Sequence, residues 1–521
     1  MPSCEHVHRA LAESRVVLAN EDSKYIRVSN VVNRIMIASV TVALFYYAHT
    51  PYCLPVYVVA LSPLMWLCRN CGSATSATRL TAEAIVVGFA MCWVITGYVQ
   101  PAVPPWGAIL HGAGCLIFSL QIAGLALLIR QSRSWHIVNA APIIAFTAMI
   151  LEMGQAQLGL TWATTNSSLA IATTPIAQWS GILTPFGLSG VLYYINFLWL
   201  PDYSRVSYRR WSSSLLAISL TSMLWFGGML IESTVVVQPL PFTAAMVQPH
   251  LHQPHRAAPW QPWEVLHPLT LASLEHDGPV DLIVWPESSL VDTTYSSLAT
   301  AVDTIDDYKS PPARLTLADF RSDLLPQYRT NCLLGVAMLD LGTVTKYGLK
   351  VPEQQRYNCG CLMSSSAEID CHEKLILVPM KEGLPRWLQN DTMRRWILPF
   401  FELTAPCVIG RDFHLLSFKD ASGKTRTIAP VVCYESWHPW LPQFHQEVPL
   451  DAIVYMMYDG DFVDHPELIQ RQLLSVRLRA IETRTWNLVC STWRGTAIID
   501  PRGRIVKELP PVAGVLRTDE L

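Results

Sequence analysis

The chain has 521 residues, 51% of them hydrophobic and only 15% charged, with a net charge of −3. Soluble domains average about a quarter charged residues, so a wholly soluble protein is excluded as a fit, and the small negative balance offers no footprint for a nucleic-acid partner. The shortage of charge is concentrated between about residues 35 and 236, where charged side chains occur almost only between long apolar runs.

Residues 1–34 are polar and lack a signal-peptide pattern. The first apolar run is therefore expected to be an uncleaved anchor. About seven spans are predicted, at 35–49, 52–68, 80–99, 107–129, 136–152, 179–200 and 213–236. A helix needs roughly 20 apolar residues to cross the hydrocarbon core. The first two runs are shorter, are separated only by Thr50-Pro51, and read as a tight helical hairpin. So many runs in succession argue against buried core helices of a soluble protein. Basic residues set the orientation, because cytoplasmic loops collect Lys and Arg. Arg9, Arg15, Lys24, Arg27 and Arg34 precede the first run, Arg69 and Arg79 follow the second, Arg130 and Arg133 the fourth, and Arg205, Arg209 and Arg210 the sixth. The alternate loops, near 50, 100–106 and 153–178, have neither. The pattern predicts a cytoplasmic N-terminus and, with an odd number of spans, an extracytoplasmic remainder.

After 236, a Pro-, His- and Gln-rich stretch to 262 reads as a link, and then the texture changes. Short β-branched runs predict strands at Thr243–Gln248, Val280–Trp285, Cys332–Met338, Leu375–Val378, Ile428–Val432, Ala452–Met456, Leu488–Ser491 and Thr496–Ile499. The spacing of Leu473, Val476, Ala480 and Ile481 predicts a helix over 469–483. Strands and helices interleaved to residue 521 predict one α/β domain over 237–521.

Three side chains in this domain carry chemistry. Glu287 ends the run Asp281-Leu-Ile-Val-Trp-Pro, and Cys433 ends Ile428-Ala-Pro-Val-Val. Strand ends at one sheet edge are where α/β enzymes place reacting groups. A thiol becomes a strong nucleophile as its thiolate, which a carboxylate base and a nearby ammonium favour. Lys374 supplies the ammonium, which also stabilises an oxyanion. The His residues are scattered, and no His/Cys spacing matches a zinc site.

Glu287 in Trp-Pro-Glu, Lys374 in Lys374-Leu-Ile-Leu-Val-Pro-Met-Lys-Glu382, and Cys433 in Cys433-Tyr-Glu435, in that order, resemble the nitrilase (carbon–nitrogen hydrolase) superfamily. Val247-Gln248, Trp260, Arg479-Ala-Ile-Glu482 and Ala497-Ile-Ile-Asp500-Pro-Arg-Gly503 resemble further segments of it. Together with the apolar half, and Pro175–Gly181 through Gly187-Leu-Ser-Gly and Asn196, the chain resembles the membrane branch, the apolipoprotein N-acyltransferases. The resemblance implies a multi-pass helical membrane domain over 35–236 followed by an αββα sandwich. It implies Glu287 as general base, Lys374 as oxyanion and thiolate stabiliser, Cys433 as nucleophile, and Glu382 and Glu435 as supporting carboxylates that hold Lys374. The implied reaction moves an acyl chain from a phospholipid, through a thioester, to the amine of a diacylglyceryl-cysteine lipoprotein in the cell inner membrane. It needs neither metal nor organic cofactor, and a monomer is expected.

The chain departs from the family pattern in places. Tyr458-Asp459-Gly460-Asp461-Phe462-Val463 stands where Asn-Asp-x-Trp-Phe-Gly is usual, Trp493-Arg494-Gly495 replaces Asn-Thr-Gly, and Val291 occupies a usual Pro. The family's span after the domain has no counterpart up to Leu521. The altered segments leave open an amidase or an acyltransferase with another acceptor, and a catalytically silent binding protein is a third reading. Trp387-Leu388 and Trp396–Phe401, flanked by Arg386, Arg394 and Arg395, suit either a membrane interface or a cover for the core. Of seven Cys after residue 240, six remain once Cys433 is assigned. Cys359 and Cys371 flank a turn near Ser364 and are expected to bridge, whereas Cys332 and Cys490 are expected to be buried thiols.

Overall fold

The computed structural model describes residues 31–49, 54–70, 76–97, 107–157, 167–200, 212–251, 262–292, 317–340, 355–364, 369–379, 381–384, 392, 407–438 and 449–519. Arg386–Leu388, Arg394–Phe401 and Trp260 lie outside them. Two compact units emerge: one of 1–94, 115–146 and 192–220, the other of 95–114, 147–191 and 221–521.

Six helices among the described residues are long and apolar enough to cross a membrane. They are α1 (Val31–Ala48), α4 (Ala77–Thr96), α5 (Gly107–Gln131), α6 (Ile137–Gln157), α7 (Ser180–Leu198) and α8 (Ser212–Thr234). The expected second span is instead a short broken pair, α2 (Leu54–Ala60) and α3 (Ser62–Asn70). At roughly 1.5 Å per residue neither piece reaches across the core. The break is held by a side chain: the Leu61 amide donates to Asn196 Oδ1 at 2.9 Å, and Ser62 Oγ donates to the Asn196 carbonyl at 2.8 Å. Asn196, noted in the sequence only as part of a motif, thus satisfies backbone groups that lipid would leave bare.

The polar domain is two sheets face to face with helices outside. One sheet runs β13 (Gly514–Arg517), β1 (Ala244–Gln248), β2 (Leu282–Val284), β4 (Asn331–Asp340), β5 (Gln355–Met363), β6 (Ile369–Glu373), with β3 (Leu290–Asp292) also pairing β4. The other runs β12 (Ile505–Glu508), β11 (Ala497–Ile499), β10 (Trp486–Ser491), β9 (Ala452–Met457), β8 (Thr425–Val432), β7 (Leu416–Lys419). Period-two alternation sorts the side chains. Met246, Leu282, Val284, Val432, Val454, Met456 and Leu488 meet between the sheets. Val247, Ile283 and Trp285 face outward against Leu266 of α9 (Trp263–Asp277) and Phe320. Ile453, Tyr455 and Val489 face outward against Leu473, Val476 and Ala480 of α10 (Pro466–Thr483). Burying each such Leu or Val is worth about 1.5–3 kcal/mol. Helix α10 begins at Pro466, one turn before the predicted start at Ile469, and stops at Arg484, whose φ of 53° ends the helical repeat. The αββα expectation holds.

Two local expectations do not. Leu375–Val378 is not a strand. Its amides are taken by carboxylates, Leu375 by Glu435 at 2.6 Å and Val378 by Glu382 at 2.7 Å, so no strand partner is needed. The bridge joins Cys361 to Cys371, and Cys359 is a free buried thiol. The β5–β6 register decides this, because it pairs Cys361 with Cys371 and sets Cys359 opposite Glu373. Cys332 and Cys490 are free and buried as expected. Mass spectrometry of non-reduced peptides should find Cys361 linked to Cys371 and Cys359 alkylatable only after denaturation. A Cys359–Cys371 peptide would refute the register.

Candidate active site

Each expected reacting residue follows a strand or sits in the turn after it. Beyond β2 the chain bends at Ser288, whose φ is 56°, and Ser289 Oγ donates to the Pro286 carbonyl at 2.5 Å. That bend carries Glu287. Strand β4 passes under it at Gly335, where a Cβ would lie 2.2 Å from the Pro286 oxygen and 2.5 Å from Glu287 Cα. Any side chain at Gly335 would push the carboxylate out of position. Lys374 directly follows β6, its amide donating to the Asn358 carbonyl on β5 at 2.8 Å and its carbonyl accepting from Gly410 at 2.9 Å. Cys433 directly follows β8, at the head of a 3-10 turn (Cys433–Trp437), with φ of 49°. The left-handed conformation turns the chain sharply, a strained feature typical of functional positions.

The three meet. Lys374 Nζ donates to Glu287 Oε1 and to Glu382 Oε1, each at 2.9 Å. Cys433 lies close enough to feel both the Glu287 and the Lys374 charges. Its Sγ also lies 3.8 Å from the Tyr458 carbonyl oxygen. Glu287 and Lys374 are buried, at 4% and 1% exposure, while Cys433 keeps partial access. Glu382 supports Lys374 directly. Glu435 supports it through the backbone: one oxygen accepts from the Leu375 amide and the other from the Val432 amide at 2.8 Å. It thereby ties the lysine segment to the nucleophile strand.

Sequence reasoning missed three supports. Asn358 Nδ2 donates to Glu287 Oε1 at 2.6 Å and to Glu382 Oε1 at 2.8 Å, clamping both carboxylates onto the ammonium. His372 Nε2 lies 3.5 Å from Glu435 Oε2, both fully buried. Asp459 accepts from Thr492 Oγ1 at 2.9 Å, the Trp493 amide at 2.7 Å and the Arg494 amide at 3.0 Å. The two segments that depart from the family pattern are thus one unit, joined through Asp459. Asn358 lies in a Cys- and Gly-containing strand with no motif to mark it. Asp459 was within a noted segment, but its partner was not legible.

Protonation follows from burial and neighbours. Burial alone would lower the Lys374 pKa, but Glu287 and Glu382 outweigh it and hold the ammonium well above its ordinary value. For Glu382, burial disfavours the charged form, yet Lys374, the Val378 amide and Asn358 keep it below the usual carboxylate range. Burial pushes the Cys433 thiol well above its ordinary value, and Glu287 adds to this more than Lys374 removes. The Cys433 side chain is therefore held in its protonated thiol form. Alkylation of Cys433 by iodoacetamide should therefore rise about tenfold per pH unit through pH 9 without levelling, because only the thiolate reacts. A plateau below pH 8 would mean that a thiolate is already stored.

Beside these loops, Leu169, Ala172 and Ala177 pack with Ile376, Tyr434, Trp437 and Leu474. Gln178 Nε2 donates to the Arg502 carbonyl at 2.8 Å, and Arg484 donates to Gln178 Oε1 at 2.7 Å. The segment leading into α7 is therefore part of the floor under the lysine and cysteine loops.

Comparison with known proteins places the chain in a family. Among curated relatives, an apolipoprotein N-acyltransferase 2 of Treponema denticola is 25% identical over 44% of this chain and 39% of its own length. The apolipoprotein N-acyltransferase of Rickettsia prowazekii is 26% identical over 62% of this chain and 58% of its own length. That of Nitrosomonas europaea is 24% identical over 88% of this chain and 84% of its own length. The chain thus spans well under two thirds of the first two. Among solved structures, Saccharomyces cerevisiae Nit3, a member of branch 10 of the nitrilase superfamily, matches with 16% identity and a TM-score of 0.35, over 54% of this chain and 92% of that one. The carbon-nitrogen hydrolase model matches residues 243–519. With two packed sheets bringing a glutamate, a lysine and a cysteine to one cluster, the chain belongs to the carbon-nitrogen hydrolase family.

Proposed function

We propose that this chain is a membrane-bound N-acyltransferase that moves a fatty acyl group from a phospholipid, through a thioester on Cys433, to the N-terminal amine of a diacylglyceryl-cysteine lipoprotein. The observation that carries the reading is the Glu287–Lys374–Cys433 cluster in a chain with six membrane-length helices among its described residues. The curated relatives named above support the choice of acyl transfer over amide hydrolysis.

In the first step Cys433 Sγ attacks the ester carbonyl carbon as Glu287 takes the thiol proton. The carbonyl oxygen becomes an oxyanion beside the Lys374 ammonium. Collapse breaks the ester C–O bond, and Glu287 returns the proton to the departing glycerol oxygen, releasing lysophospholipid. In the second step the acceptor amine attacks the thioester, Glu287 takes a proton from it, and the proton passes to the departing sulfur. Glu382, Asn358 and Glu435 hold the base and the cation in place. A thioester resists water long enough for a second lipid to arrive yet reacts readily with an amine.

In this reading the broken pair α2 and α3 together completes a seventh crossing, so residues 1–34 are a cytoplasmic segment, 35–236 the membrane domain, and 237–521 the catalytic domain on the extracytoplasmic side of a cell inner membrane. The Cys361–Cys371 bridge supports that side, because disulfides persist in oxidising compartments. The enzyme acts as a monomer. A different acceptor is favoured by one observation, the Asp459-tied pair of altered segments close to the nucleophile.

The test is incubation of the full-length protein in mixed micelles with phospholipid and a diacylglyceryl peptide. Intact mass should reveal a long-chain adduct on Cys433 and an N-acylated peptide. An adduct without peptide acylation supports the other-acceptor reading, and no adduct with any phospholipid overturns the proposal.

A further inference from the structure

We propose that the Cys361–Cys371 disulfide is a reversible redox site coupled to catalysis: closed, it holds Lys374 against Glu287, and its reduction slows acylation of Cys433. The proposal rests on the acylation assigned above and adds a control over it.

The hairpin that carries the bridge also carries the site. Strand β5 supplies Asn358, whose side-chain amide holds the carboxylates of Glu287 and Glu382. Lys374 directly follows β6. Its amide donates to the Asn358 carbonyl at 2.8 Å, so these two residues close the open end of the hairpin. The bridge joins the strands where Cys361 pairs with Cys371, three residues from Asn358 on one strand and three from Lys374 on the other. At about 3.3 Å per residue that is roughly 10 Å.

Without the bridge, β6 is weakly held. It is the last strand of its sheet and pairs with β5 alone among the described residues. Of its five residues only His372 is buried, Ile369 is 43% exposed, and Asp370 is exposed. His414 adds two polar ties: its amide donates to His372 Nδ1 at 3.3 Å, and its Nε2 lies 2.8 Å from Asp370 Oδ1 at the surface. A strand with so few buried apolar side chains opens at little cost. A bridge with a sequence separation of 10 favours the paired state by about a hundredfold. Each opening of β6 draws Lys374 away from Glu287 and Glu382, and the cation that faces the oxyanion is lost.

The exchange has one accessible sulfur. Cys371 is half-buried, whereas Cys361 is buried. The thiolate of an external dithiol attacks Cys371 Sγ, the sulfur–sulfur bond breaks, and Cys361 leaves as a thiolate and takes a proton. The second thiol of the dithiol then attacks the reductant's sulfur in the mixed disulfide and releases Cys371. The dithiol has given two electrons and ends as a disulfide. Cys359 does not compete from within the hairpin. Burial, with Glu373 opposite it, pushes its thiol well above its ordinary value.

The test reads acylation of Cys433 by an uncharged p-nitrophenyl ester and by phosphatidylglycerol, with full-length protein in micelles, before and after treatment with tris(2-carboxyethyl)phosphine. The phosphine and water convert the bridge to two thiols and leave the phosphine oxide. Alkylation followed by peptide mass spectrometry measures the fraction of bridge opened. Reduction should lower kcat about tenfold or more with both donors, leave KM within about twofold, and be undone by reoxidation. Cys361→Ala/Cys371→Ala should be as slow as the reduced protein and indifferent to the phosphine, which assigns the effect to this bridge. Full kcat with the bridge open, or a further loss in the phosphine-treated double variant, overturns the proposal and leaves the acyl-transfer reading standing. If the double variant does not fold, reduction and reoxidation of the unaltered protein decide. Redox-dependent acylation by the ester, with none by phosphatidylglycerol, overturns the acyl-transfer reading and leaves the redox site standing.

Discussion

Replacing Cys433 with alanine is expected to abolish the acyl adduct and to lower acyl transfer by at least about a thousandfold, the scale on which nucleophile deletions act. The fold should survive, because Cys433 packs at the margin of the inter-sheet core and its strand is held by Val432 and Ile428 within it. Glu435, two residues on, would still accept from the Leu375 and Val432 amides and keep the lysine segment in place. The informative control is the mass spectrum after phospholipid incubation. An adduct that persists in Cys433→Ala would assign the nucleophile elsewhere, and Cys407, which is partly exposed and whose amide donates to the Glu382 carbonyl, is the thiol to inspect next.

Lys374→Met should cost both activity and stability. It leaves Glu287 and Glu382 facing each other with only Asn358 between them, all largely buried. Removing one partner of a buried ion pair costs about 3–5 kcal/mol. Catalysis should fall by about a hundredfold or more from the lost oxyanion stabilisation. Adding Glu382→Gln should recover part of the stability, by removing one stranded charge, and none of the activity. Denaturation of the single and double variants in micelles checks the first claim, and acylation rates check the second. Equal stability of the single variant and the unaltered protein would contradict the ion-pair cluster. The pH dependence carries a sign. Glu382 is held below its ordinary value, so its contribution is complete above the unfolded pKa near 4.3 and is lost as pH falls through the lower folded value. Lys374 is held above its ordinary value, so its contribution is complete below about pH 10.4 and is lost only as pH rises through the higher folded value. The cluster should therefore be at full strength from about pH 5 to 10, and Lys374→Met should flatten both limbs.

Much of the architecture was legible before any coordinates. The membrane runs stand out because lipid tolerates so little charge. The strands β1, β2, β4, β8, β9, β10 and β11 stand out because buried strands are short apolar runs. Strands with polar or alternating faces were less legible: β3, β7, β12 and β13 went unread, and β5 and β6 were read only as the arms of a turn near Ser364. Their residues satisfy the sheet through pairing with neighbours, as Gln355–Met363 does with β4, and pairing is not a local property. Leu375–Val378 misled for the opposite reason. It has strand composition, but two carboxylates from residues 382 and 435 occupy its amides. One bridging cysteine was misassigned by two positions, Cys359 for Cys361, because register, not proximity to a turn, selects which cysteines face each other.

The chain order of side chains settled which chemistry this protein has available, since base, cation and thiol are identities that no folding step can alter. The placement of Glu287 and Cys433 at the ends of apolar runs also settled that each would sit at a strand end; that these ends belong to two facing sheets was decided by the fold. Folding decided how they are charged and held. Asn358 joins Glu287 across 71 positions and Asp459 joins Trp493 across 34, and no local pattern announces such partners. The thiol stays protonated because burial and the Glu287 carboxylate both disfavour a thiolate, and the ammonium stays charged because Glu287 and Glu382 outweigh its burial; both are properties of the assembled interior alone.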